Sequence, residues 1–220
     1  YLNRVLGVFI GLFIIATLAA SFPLRKLSPR LFYGSLTALG MVIFQGWLGS
    51  IVVQTELMPG MITLHMLLAM ILLSLLISLQ AWSSSSPRGT IVTGAKMLYG
   101  LVLLQVIVGT QVREKVDAFT KDSQGLAREQ WMDHAGLFDH LHRPLSLVVL
   151  AMSGFIFWFS RKRGYSHKLP FWMLSCVVGQ IALGLILAYT GLPPWSQTAH
   201  LVLGAGLLCL AYRAGWHPVD

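Results

Sequence analysis

Three histidines lie within long apolar stretches of this chain: His65, His142 and His200. An ionisable side chain at membrane depth is unfavourable and usually marks a site. A neutral imidazole is a good metal ligand, and two of them on facing helices can supply both axial ligands of one heme iron. His142 and His200 form the best pair, because they fall in the same copy of an internal repeat. A single membrane histidine is more often an interhelical hydrogen-bonding contact. Against that reading stands the recurrence of Pro-x5-His, as Pro59 with His65 and Pro194 with His200.

Other polar residues are placed around these. Arg143 follows His142, and Arg4 follows Asn3. An arginine at the bilayer surface can pair bidentately with a carboxylate such as a heme propionate, or it can snorkel to lipid headgroups. Pro144 is acceptable if it falls in the first turn of its helix. Gln45, Gln105 and Gln180 each precede a glycine by four residues, most simply to allow close helix packing. Arg113 and Glu114 close the fourth apolar run, either bracing the site mouth or forming a solvated pair. Trp131, His134 and His140 belong to a long connection over about 112–139; such connections can act as lids, but both histidines read as solvent-facing. His167 and His217 read as surface residues. Cys176 and Cys209 lie within apolar helices and read as small packing residues rather than a disulfide or metal site.

The elements that must position these residues are membrane helices. The chain has 220 residues, 55% hydrophobic and 11% charged, with mean hydropathy +0.70. A soluble domain would carry about a quarter charged residues. Crossing a bilayer takes roughly 20 apolar residues, and seven runs qualify: about 1–22, 29–53, 60–82, 91–111, 141–160, 169–189 and 196–215. They are continuous rather than alternating, which excludes a β-barrel reading. The expected fold is therefore an all-α polytopic membrane bundle. No signal peptide is visible.

The net charge of +8 does not imply nucleic acid, because the basic residues cluster in short connections. Loop one carries Arg25, Lys26 and Arg30, loop three Arg88 and Lys96, and loop five Arg161, Lys162, Arg163 and Lys168. Loop two holds only Glu56, loop six has no charge, and loop four is net acidic. By the positive-inside rule, loops two, four and six face outward and the C-terminus faces the cytoplasm.

The chain also repeats itself. Gln45, Gly49, Thr55, Leu57, Pro59 and His65 recur as Gln180, Gly184, Thr190, Leu192, Pro194 and His200, all at an offset of 135 residues. A weaker match aligns Asn3-Arg4 with His142-Arg143. The repeat unit is then four helices. Spans four to seven are one copy, and spans one to three are the other without its first helix, expected to precede Tyr1. Two pseudo-symmetric four-helix bundles are expected, divided at 1–82 and 83–220.

The motifs Asn3-Arg4-Val5-Leu6-Gly7, Gln45 to His65, Val108 to Glu114, His142-Arg143 and Pro194 to His200 together resemble the heme A synthase family. The resemblance covers essentially the whole chain. It implies eight helices in two bundles and oxidation of a methyl group of heme O, through an alcohol, to the formyl group of heme A for cytochrome c oxidase. It implies a heme b cofactor held by His142 and His200, and a substrate heme O held by His65, with Arg4 and Arg143 orienting propionates. In the family a second histidine faces the substrate, and here Asn3 stands in its place. The family's acidic residue three positions earlier falls before Tyr1, and the paired outer-loop cysteines of some members are either absent or fall before Tyr1 as well. Heme O synthase and oxidase assembly factors are the expected partners, and a bacterial inner membrane the expected location. A diheme b-type cytochrome, a heme carrier and a structural oxidase subunit remain as competing readings.

Overall fold

The computed structural model describes residues 2–55, 58, 60–82, 91–122 and 136–217, with the side chains of residues 2, 3 and 120–122 left aside. It is all-helical, with no strand among the described residues. Seven helices are long and apolar enough to cross a membrane: α1 (Leu2–Ser21), α2 (Pro29–Gln54), α3 (Met61–Trp82), α4 (Val92–Asp122), α5 (Gly136–Lys162), α6 (Lys168–Tyr189) and α7 (Pro194–Trp216). The chain is a multi-pass membrane protein. Helices dominate because a backbone in hydrocarbon must bond its own N–H and C=O groups. Pro29 and Pro194 open α2 and α7, where a missing N–H leaves nothing unbonded.

Two helix ends depart from the expected spans. α4 runs to Asp122 rather than stopping near residue 111. Its 31 residues extend about 46 Å, longer than the ~30 Å hydrocarbon layer. The added turns contain good helix formers, and Arg113 pairs with Asp117 one turn on at 2.7 Å. α5 begins at Gly136, so Pro144 lies inside the helix rather than in its first turn. Its ring removes the N–H that would otherwise bond the His140 carbonyl. Trp131 and His134 lie outside the described residues.

The contacts divide the chain into two units, residues 1–86 and 87–220. In the first, α2 packs against both α1 and α3. Ile14, Ala38, Leu72 and Leu79 form its buried centre, with Leu31, Val42 and Leu75 packed around them. In the second, α4 to α7 close a four-helix bundle in which each helix meets the next and α4 also meets α7. Small residues line these contacts: Ala95, Ser153, Ala211 and Ala214 are buried. Lipid tails give little drive for helix association, so close backbone approach must supply the packing. Large apolar side chains point away from the core instead: Phe13 is 70% exposed and Ile43 65%. At the end of α5, Arg161, Lys162 and Arg163 each lie over an aromatic ring, those of Phe157, Trp158 and Phe159.

α4 and α7 approach closely at Gly215. A Cβ added there would lie 3.0 Å from Lys96 Cγ and 3.3 Å from its backbone nitrogen. A helix backbone cannot yield as a side chain can. Gly215→Leu should therefore destabilise the bundle by about 1–3 kcal/mol, read as a lowered midpoint of thermal unfolding in detergent. An unchanged midpoint would mean that the two helices separate freely.

Candidate functional site

Each histidine singled out by the sequence sits near the beginning of a helix, half-buried, on the side facing a neighbouring helix. His65 lies on α3 and meets α2. His142 lies on α5 and meets α4. His200 lies on α7 and meets α6. The three meetings share one construction. Gln45 Nε2 donates to the His65 carbonyl oxygen at 2.9 Å, Gln105 Nε2 to that of His142 at 3.0 Å, and Gln180 Nε2 to that of His200 at 2.6 Å. The amide nitrogens of Gln45 and Gln105 also lie 3.3 Å and 3.4 Å from the Nε2 atoms of His65 and His142.

One turn along from each glutamine is the glycine. A Cβ at Gly49 would stand 3.1 Å from His65 Cε1, and one at Gly109 would stand 3.0 Å from His142 Cε1. At Gly184 the corresponding distance to His200 is 3.8 Å. At Gly49 and Gly109 the missing Cβ is what admits the imidazole, whereas at Gly184 a Cβ would make only ordinary contact. Gln-x3-Gly thus packs helices, as its spacing suggests, but it does so around a histidine. The sequence held a signal for this: Gln45 stands 20 residues before His65, as Gln180 does before His200. The third pair was obscured because the long connection puts 37 residues between Gln105 and His142.

The second unit brings His142 and His200 together. Successive helices of the bundle reverse direction, so α5 and α7 start at the same end. Their ring centroids are 6.4 Å apart with planes at 52°. The Nδ1 atoms of His65, His142 and His200 are all buried without a hydrogen-bond partner. Buried polar atoms are normally satisfied, so these three ask for an explanation.

Charged groups gather at the same end. Arg143 Nη2 pairs with Asp139 at 2.6 Å; the arginine side chain is half exposed and the aspartate nearly buried. The Tyr189 hydroxyl is also within its reach. Asp139 was not apparent from the sequence, although its position four residues before Arg143 on a helix is the pairing signal. Arg113 bonds Asp117 on its own helix and Gln197 on α7, tying α4 to the start of α7. Glu114 is buried and accepts from Gln111 at 3.2 Å. Arg4 is exposed on α1, and Asn3 lies on the same helix with its side chain outside the described residues. His140 and His167 are exposed.

The Gln180 bond depends on room beside α7. A Cβ on Gly204 would lie 2.6 Å from Gln180 Nε2. Replacing glycine by alanine in a helix ordinarily stabilises by about 0.5–1 kcal/mol. Here Gly204→Ala should displace the amide, break its bond to His200, and destabilise by about 1 kcal/mol. Thermal unfolding in detergent checks the sign; a raised midpoint would contradict it.

Comparison with curated proteins and with solved structures returns no match. A family model described as cytochrome oxidase assembly protein (COX15-CtaA) matches residues 1–212, nearly the whole chain. With seven membrane-type helices and histidines set between them, this chain belongs to the cytochrome oxidase assembly protein family.

Proposed function

We propose that this protein is an oxidoreductase, a heme A synthase, which oxidises a methyl group of heme O to a formyl group. The observation that carries the reading is the His142–His200 pair. Two imidazole nitrogens each about 2 Å from one iron place their ring centroids roughly 6 Å apart, and the observed separation is 6.4 Å. A heme, whose iron is already held by its porphyrin, would ask the protein only for the two histidine nitrogens of His142 and His200. No group of three or more His, Cys, Asp or Glu side chains able to hold a bare metal ion occurs among the described residues. The unpartnered Nδ1 atoms suit rings that are completed by a bound group.

In this reading His142 and His200 hold a resident heme b, whose contribution when bound is one-electron redox chemistry. The protein's own part is to hold and orient. Gly109 clears space for the His142 ring, and Gln105 and Gln180 secure the two histidine helices. Arg143 keeps one face open while Asp139 fixes the other, so its fork can take a propionate as a second partner. His65, in its matching cradle of Gln45 and Gly49, holds the substrate heme O. Arg4 orients the substrate's propionates, and Asn3 stands in place of a second histidine. Single histidine ligation suits a heme that must leave as product. The flat apolar macrocycle and its isoprenoid tail reach the site from lipid, which is why it is built among membrane helices.

Residues 1–82 are then the substrate side and residues 83–220 the heme b side. The basic end of α5, with its cation–aromatic contacts, favours a cytoplasmic placement for loop five. Loops two, four and six then face outward from a bacterial inner membrane. Heme O synthase and oxidase assembly factors are the partners this chemistry calls for.

Co-expression with a heme O synthase in a host lacking heme A tests the reading, with extracted hemes identified by chromatography and mass. Heme A should appear and should be lost in His65→Ala, while His142→Ala should lose the bound heme b. Bound heme b with heme O left unchanged would reject the synthase in favour of a cytochrome or carrier.

A further inference from the structure

The function proposed above leaves the ring contacts of Gln105 and Gln45 without a role in the chemistry. We infer that Gln105 is a positioning residue that sets the orientation and charge environment of the His142 ring, and that Gln45 does the same for His65. The inference rests on reading His142 and His200 as ligands of one heme.

The amide orientation follows from chemistry. A backbone carbonyl only accepts, so the NH2 end of Gln105 must face the His142 oxygen at 3.0 Å. The same nitrogen lies 3.4 Å from the ring Nε2. The amide oxygen, Oε1, is therefore turned away, and it is buried without a partner. One turn along α4, Gly109 bounds the ring on its Cε1 side. His142 is thus bracketed between two residues of the neighbouring helix. Its plane is set by α4 and not by its own rotamer preference alone.

His200 is held differently. Gln180 donates to its carbonyl but makes no bond to its ring, and Gly184 stands further off. The two members of the pair are therefore unequal, one tightly bracketed and one looser. His65 follows the tight pattern, at 3.3 Å from Gln45 Nε2. Groups that touch a ligating histidine tune its metal as well as its angle. In a ligating ring neither nitrogen has a lone pair free to accept from this amide, so the contact acts through space. The positive end of the amide dipole, held against the ring by its bond to the His142 carbonyl, opposes positive charge on the iron, and Gln105 favours the reduced heme.

The experiment compares Gln105→Met with Gln180→Met in the heme-loaded protein. Both delete a carbonyl bond at similar side-chain volume, but only the first deletes a ring contact. Optical redox titration of the bound heme should show Gln105→Met shifted toward the oxidised form by about ten-fold, about 59 mV for one electron. Its low-spin electron paramagnetic resonance signal should change as well. Gln180→Met should shift far less. Equal shifts in both variants, or none in either, would overturn the inference. Should Gln105→Met fail to fold, Gly109→Ala, which retains the glutamine and crowds the ring, must alter the low-spin signal; an unaltered signal would overturn the inference. A parent protein without a bis-histidine signal, or one that keeps it in His142→Ala, would instead refute the underlying heme assignment.

Discussion

Everything at the candidate site depends on one constraint: in hydrocarbon a polar side chain has no water to fall back on and must be met by another helix. The glutamine amides answer it for the histidine helices. Each donates across a helix pair to the carbonyl of the histidine residue itself, so the position of the ring is coupled to the docking of its helix. Interhelical bonds of this kind stabilise membrane bundles by only about 1 kcal/mol each. Their importance here lies in location. They fix backbone within one residue of the atoms that would bind a ligand.

The glycines complete the same device from the opposite side. A helix carrying Gln-x3-Gly offers a hydrogen-bond donor and, one turn away, a gap. Close approach and polar contact thus come from a single face, and the imidazole occupies the gap. This explains how rings of considerable bulk fit between closely packed helices. At all three positions the neighbouring helix gives its amide to the histidine carbonyl, and Nδ1 is left without a partner.

The charged end of the second unit follows a related logic. Asp139 is nearly buried and Arg143 half exposed, so the carboxylate anchors the guanidinium without enclosing it. Arg113 reaches Asp117 and Gln197 and holds the long α4 against α7 just above the histidine pair. Helix ends that would otherwise fray at the bilayer surface are tied at the point where His142 and His200 must keep their spacing.

The sequence alone determined the membrane-helix architecture, because span length, low charge and proline placement are local properties that a bilayer reads directly. It also singled out His65, His142 and His200, since ionisable residues at that depth are rare and two of them recur at one offset. It misjudged the extent of α4 and the start of α5, where helix formation continues beyond the apolar run and hydropathy gives no warning. What only the tertiary structure decided was pairing: that each glutamine meets a histidine, that His142 and His200 stand 6.4 Å apart, and that Arg143 is held by Asp139. These facts depend on which helix faces show toward one another. Apolar helices in lipid carry little amphipathic signal to announce that choice, so it is settled by small residues and polar contacts that become visible only once the helices are packed.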